Sequence, residues 1–335
     1  MKNVLLTSPK AAALLAGCAL ALSPLAKAQV TFSYEDTVSG HALGSSFTGP
    51  FRINLQLFDN GSLYPSLGSP GMAAGYGENG TGTQSVAGGV STLNGLQTAG
   101  PTGGAAGEDS WGIGRVISIT DLAGSVVWSE SQKNAQITLM FHGEQDFYVN
   151  QLANGFQEID GKGLMADWYY QSKADAMYTQ YDPLLGSAGR MGADAYSTVT
   201  DGVKFLSTSS QAGFIHPDGT LGGSATEFAS IFNVNSGGTG QTYLSVTGGT
   251  MASVFDQNYF ASPFINGATA DMFAQFTTVL NSDPQVADWL VRGNDPVTGN
   301  LVPVPEPSTY GLIGAGALLG LVALRRRMQK RAQQA

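Results

Sequence analysis

The chain has 335 residues, of which 45 are Gly, 42% are hydrophobic and only 12% are charged. Glycine is near twice its usual share and charge about half the usual ~25%, which excludes a charged disordered chain and a coiled coil; the Gly has no three-residue period, which excludes a collagen. With 16 Lys+Arg against 25 Asp+Glu, a nucleic-acid-binding surface is not expected either.

In chain order, the first element is an export signal. Lys2 and Lys10 precede an apolar run from Ala11 to Leu22, which Ser23-Pro24 breaks ahead of Ala26-Lys27-Ala28. A basic start, a short apolar stretch and a small-x-small pair are the anatomy of a signal peptide over residues 1–28, with signal peptidase cutting after Ala28 to leave Gln29. The apolar run is too short to span ~30 Å of hydrocarbon. The sole cysteine, Cys18, lies in Leu15-Ala16-Gly17-Cys18, which resembles a lipobox. The run stays apolar through Leu22, so ordinary cleavage is expected over lipidation, leaving a mature chain without disulfides.

The exported region, 29–303, reads as mainly β. Val30–Tyr34 and Phe51–Leu57 alternate in polarity, as strands do. Residues 60–107 are dense in Gly, Ser, Thr and Ala with Glu78 the only charge, and predict a long loop or insertion. Arg115–Thr120 and Ser125–Trp128 flank Asp121-Leu122-Ala123-Gly124, a hairpin turn. Ile137–Phe141 and Phe147–Val149 predict a second pair across His142–Asp146. Ala195–Leu206 (with a turn at Asp201-Gly202), Phe228–Val234 and Gln241–Val246 are further strands. Helices are expected at Lys173–Gln180, Ala268–Asn281 and Pro284–Arg292, the last with Asp283 as N-cap. Strands at short spacing with Gly-rich turns predict an antiparallel β-sandwich-like domain with a few short helices.

Signals for chemistry are sparse. His41, His142 and His216 have no second His or Cys at metal-ligand spacing, and there is no Gly-x-Ser-x-Gly elbow; each reads as a surface or turn residue, and no metal site is expected. Glu144 and Asp146 would share one side of a strand and could form an acid or metal pair; bracketed by Gly143 and the next apolar run, they read instead as turn charges. Glu158–Gly163 and Asp218-Gly219-Thr220 read as turns that do not match an EF-hand. Trp111 with Asp109 is the one candidate ligand platform, an exposed ring beside a carboxylate that could stack on a sugar. The competing reading is a core Trp at the start of a strand, with Gly112 and Gly114 allowing close approach. Trp168-Tyr169-Tyr170, Tyr178 and Tyr181 share that ambiguity.

Residues 29–303 carry eight Lys+Arg against 24 Asp+Glu, a formal −16. Such a surface disfavours anionic lipid and nucleic acid. No cofactor is expected; a divalent cation would suit the acid excess, but no motif supports a site.

The chain ends in three parts. Val304-Pro305-Glu306-Pro307 comes first. Prolines there fix φ and keep the preceding residues extended, so the segment stays out of any following helix. An uncharged stretch over about 308–324 is next, 17 residues and the lower limit for a transmembrane helix. Arg325, Arg326, Arg327, Lys330 and Arg331 then hold that end in the cytoplasm. The ordered combination resembles the PEP-CTERM sorting signal of Gram-negative bacteria, here 304–335. The resemblance implies recognition by an exosortase, cleavage near the motif, transient residence in the inner membrane, and delivery to the cell surface or outside, often alongside exopolysaccharide. The function expected is that of a non-enzymatic surface or matrix protein, associated with exopolysaccharide or biofilm. A carbohydrate-binding module and a secreted hydrolase are the alternatives.

Overall fold

The computed structural model describes residues 49–61, 101–131, 134–151, 155–212, 227–233, 236–261, 269–286 and 288–301. The signal-peptidase residues Ala26, Ala28 and Gln29, the motif Val304–Pro307, the span expected at 308–324, the basic cluster, His41, His216 and most of the Gly-rich stretch lie outside them. Among the described residues no helix is long and apolar enough to cross a membrane.

The structure is mainly β. Its strands are β1 (Gly49–Gly61), β2 (Ser110–Asp121), β3 (Val126–Ser129), β4 (Ala135–Gln151), β5 (Gln157–Lys162), β6 (Met165–Ser172), β7 (Arg190–Gly192), β8 (Ala195–Tyr196), β9 (Val203–Ser210), β10 (Phe228–Asn233), β11 (Gly237–Gly248), β12 (Phe260–Ala261), β13 (Thr269–Ala270), β14 (Met272–Leu280) and β15 (Val291–Leu301). One four-residue helix, α1 (Ala252–Phe255), follows β11.

All pairings are antiparallel, and they close a ring. β4 pairs with β6, β6 with β9, β9 with β11, β11 with β14, β14 with β15, β15 with β1, β1 with β2, and β2 again with β4. Strands β5 and β10 pair with each other and extend the β6 and β9 walls along β4 and β11. The main sheet therefore faces itself across one interior. The two faces of the sandwich-like expectation are here parts of one continuous, closed sheet.

Side-chain alternation fills both sides of that wall. On β1, Phe51, Ile53 and Leu55 point inward and the intervening Arg52, Asn54 and Gln56 outward. Trp168 from β6 and Leu206 from β9 are fully buried inside. Phe51 meets Phe255 of α1 edge-on at 5.9 Å, closing one end of the interior. A second core lies outside the ring. Phe58, Trp111, Ile113 and Met140 on the outer faces of β1, β2 and β4 are covered by Tyr181, Tyr196 and Val199 from one side and Val286 and Trp289 from the other. Trp111 and Trp289 pack at 5.1 Å, and each indole N–H donates to a backbone carbonyl, Thr102 and Pro183 respectively. Each large buried side chain contributes about 1.5–3 kcal/mol.

The hairpin at Asp121–Ser125 is as expected, with Gly124 at φ 89°. Three helix expectations are not met. Residues 269–280 form β13 and β14, because Met272, Ala274, Phe276 and Thr278 alternate inward against Gln275, Thr277 and Val279 outward. Asp283 does cap Pro284, accepting from the Gln285 N–H at 2.9 Å, but the helix is one turn, Pro284–Val286, and β15 begins at Val291. Lys173–Gln180 is a run of turns whose carbonyls at Met177 and Thr179 accept from the side-chain amides of Gln171 and Gln136. Glu158–Lys162 lies within strand β5. Finally, His142–Asp146 is no turn between two strands. It is a bulge within the single strand β4, described next.

Candidate functional site

Strand β4 switches faces midway. Ile137, Leu139 and Phe141 point into the ring. Opposite them, Gly112 pairs with Phe141 but Ser110 pairs with Glu144, so β4 carries one residue more than β2 across this interval. Gly143, at φ 78°, supplies the left-handed conformation that such a bulge needs. Because strand parity is two, one extra residue moves the even-numbered side chains inward. Glu144 and Asp146 therefore both line the interior.

They meet Asp59, inward on β1, and Asp109, just ahead of β2, around one compartment. Glu144, Asp146 and Asp109 are 2%, 5% and 0% exposed. The Ser110 hydroxyl donates to Asp59 Oδ1 at 2.7 Å. The Asp146 N–H donates to Asp109 Oδ2 at 2.8 Å, and the Asp109 N–H to the Glu144 carbonyl at 2.8 Å. Glu144 Oε1 has no hydrogen-bond partner and packs against Gly161, where a Cβ would stand 1.7 Å from it.

Crowding acids out of water raises their proton affinity. Burial pushes the Asp59 carboxyl up to about 7; the Ser110 hydrogen bond opposes this, and the charges of Asp146 and Glu108 add to it. Burial, then repulsion from and hydrogen bonding to Asp146, hold Glu144 well above the ordinary carboxylate range. Asp59 and Glu144 thus hold their protons more tightly than isolated carboxyls do.

Below the cluster the interior turns apolar. Leu55, Leu139, Trp168, Leu244, Phe276 and Val297 help line a cavity of about 90 Å³, measured as room for the centres of water-sized spheres. One water needs roughly 10–15 Å³ on that measure, so the space suits several waters or a small organic molecule. The cavity and the carboxylate compartment share Asp59, Ser110, Glu144, Phe228 and Phe276 and adjoin each other.

The base nearest in sequence to none of these acids completes a separate structure. Arg190 grips Glu108 through two N–H···O contacts of 2.6 and 3.1 Å, both side chains being 4% exposed, and lies 4.5 Å over the Trp111 ring. Glu108 also accepts from the backbone N–H of Gly143 and Ala105 at 2.7 and 2.8 Å. The bulge that turns Glu144 inward is thus tied down from outside the ring.

The ligand platform expected at Trp111 is corrected by its surroundings. The ring has no accessible surface and is packed against Tyr196, Trp289 and Arg190, so no sugar can stack on it. Gly112 and Gly114 do permit close approach: a Cβ at either would stand 2.2 Å from Phe58 O or Leu57 Cδ2. Asp109 belongs to the carboxylate compartment instead. His142 is buried at the bulge, not in a surface turn, and desolvation lowers its proton affinity. Asp59 lies past the alternating run read at Phe51–Leu57 and carries no sequence signal of its own; the structure extends that strand to Gly61. Among the described residues no group of three His, Cys, Asp or Glu has the geometry to hold a metal ion.

No curated protein and no solved structure matches this chain. One family model does match, that of the PEP-CTERM protein-sorting motif, over residues 303–327, which takes in Val304–Pro307 and Arg325–Arg327. The chain therefore carries a PEP-CTERM protein-sorting motif near its C-terminus, and that motif implies exosortase processing and a place at the cell surface or outside the cell.

Proposed function

We propose that this is a non-enzymatic protein of the cell surface or extracellular matrix, held briefly in the inner membrane by residues 308–324, released by exosortase cleavage near Glu306, and associated with exopolysaccharide. The observation that carries this reading is the sorting motif at 303–327. The formal −16 of residues 29–303 suits a soluble life outside the cell. The test is the intact mass of protein recovered from the surface of an exosortase-positive host. A chain running from Gln29 to near Glu306 is expected, and an exosortase-null strain should keep the Arg-rich tail in its membrane fraction; a retained tail in both strains would end the proposal. For exopolysaccharide association, the surface fraction should lose the protein when polysaccharide synthesis is removed.

A secreted hydrolase is the second reading, and one feature favours it: Glu144, whose proton affinity burial and the neighbouring Asp146 raise, lies with Asp146 in one interior compartment, and a pair of carboxyls in unlike environments is what general acid–base chemistry uses. Activity of the full chain on glycan or ester panels, abolished by Glu144→Gln, would establish it over the first. The carbohydrate-module reading loses its main support, since Trp111, Trp128, Trp168 and Trp289 are all at most 1% exposed.

A further inference from the structure

Protein interiors are close-packed, with few voids larger than a water molecule. The ring encloses a larger one. Its apolar cavity offers about 90 Å³ to the centres of water-sized spheres, about six to nine times the ~10–15 Å³ that one water requires. Small residues on three strands keep this space open. Ala166 on β6, Ala274 on β14 and Gly293 on β15 line it, and none has a side chain longer than a methyl group.

Water is poorly served there. A buried water typically makes about three hydrogen bonds to polar groups that lack other partners. Three hydroxyls border the cavity, and each already donates its proton: Ser110 to Asp59 Oδ1 at 2.7 Å, Thr242 to the Glu227 carbonyl at 2.7 Å and Thr278 to the Gly238 carbonyl at 3.5 Å. The wall is otherwise mostly Leu, Phe, Val and Trp. An apolar space of that kind stays dry, and a nonpolar molecule placed in it restores the dispersion contacts that its lining lacks.

The two ends of the cavity limit its occupant. Along β1, Phe51 and Ile53 line a smaller space of about 20 Å³, Leu55 and Leu57 line the cavity, and Asp59 opens the carboxylate compartment. Trp168 lines both the small space and the cavity, so its indole stands between them. A long acyl chain is stopped at that indole. At the other end, Asp59 and Glu144 would meet an anionic head group with like charge. We propose that the interior of the ring is a binding site for one small uncharged hydrocarbon, the size of a single substituted aromatic ring, packed against Leu55, Trp168, Leu244 and Phe276. The acids border this site and make no bond to the ligand.

The test uses the full-length chain in a non-ionic detergent whose sterol tail is too wide for the cavity. Toluene is supplied as vapour, which fixes its activity with or without micelles, and uptake is read against detergent alone. The unaltered chain should take up one molecule of toluene, saturably, and its urea midpoint should rise with toluene pressure. Triisopropylbenzene, too large for the cavity, should show no such uptake at the same fraction of its saturation pressure. Ala274→Leu and Ala166→Leu fill the space from two strands, and each should lower toluene uptake at least about tenfold. Ala123→Leu, in the exposed turn before β3, should leave it unchanged. Far-ultraviolet circular dichroism checks that each variant folds. No saturable uptake by the unaltered chain, or equal uptake of the two hydrocarbons, would overturn the proposal whatever the variants do; so would folded filling variants that bind as the parent does. None of these outcomes depends on whether the tail is processed or on polysaccharide.

Discussion

The buried carboxyls give this protein an unusual dependence of stability on pH. The folded state holds a proton on Asp59 up to about pH 7, whereas an unfolded aspartate releases it near the ordinary 3.8. Between those values the folded state binds more protons than the unfolded state, so stability must fall as pH rises. The effect is absent below about pH 4, grows through the interval, and is complete above 7, where it amounts to roughly 4 kcal/mol. Glu144 shifts in the same direction and adds to it. The urea midpoint should therefore be higher at pH 5 than at pH 8. Asp59→Asn and Glu144→Gln should each raise the pH 8 midpoint and flatten the profile; a slope unchanged in both variants would show that general charge repulsion, not these two groups, sets it. The pair Glu108–Arg190 is a buried ion pair outside the ring. Both are buried and each satisfies the other, so Arg190→Met strands a carboxylate beside the bulge and should cost about 3–5 kcal/mol in urea unfolding. The i, i+2 spacing of Glu144 and Asp146 was legible in the sequence, but Gly143 beside them favoured a turn, and their place within one strand was not. Nor was their burial. It depends on Asp59, which lies 85 residues earlier in the chain, and on a ring that only long-range pairing closes.

At the scale of elements, alternation in polarity identified β1, β2, β3, β10 and β11 because each has one face toward an apolar interior. The misread helices share a cause. Residues 268–281 offer Ala, Met, Phe and Leu at spacings that fit a helix as well as a strand, and what decides between them is pairing with β11 and β15, which is not a local property. β4 failed differently: a glycine beside acids looks like a turn, yet Gly143 bends the strand without ending it. That glycine carries a specific burden. A Cβ there would lie 2.9 Å from Met165 Cε and 3.0 Å from Gly163 O, at a φ that other residues rarely adopt. Gly143→Ala should destabilise the protein by about 1–3 kcal/mol. It should also disturb the carboxylate compartment, visible as a steeper or shallower stability–pH profile than that of the parent chain. A matched Gly124→Ala, at φ 89° but with nothing within 4 Å, should cost less and leave the profile in place.

For the whole molecule, the ring closes without help from disulfides, since the chain has a single cysteine, at position 18. Without disulfides, stability rests on apolar burial and on the absence of open strand edges within the ring, since unpaired edges recruit other chains. The seam between β2 and β4 is where this matters most, because it joins the two ends of an otherwise open order of strands. Leu139 sits in that seam, paired with Gly114 on one side and Trp168 on the other. A proline there removes an N–H from the ladder and opens two edges at once, so Leu139→Pro should lose more than about 3 kcal/mol and show concentration-dependent light scattering on mild heating. Val126 is the contrasting position, at the start of β3, 56% exposed and paired among the described strands with β2 alone. Pro is tolerated at the first residue of such a strand, so Val126→Pro should unfold near the parent midpoint without scattering. Equal damage from the two substitutions would mean that the seam contributes no more than a peripheral hairpin, and the sheet would then have to be stable as an open one.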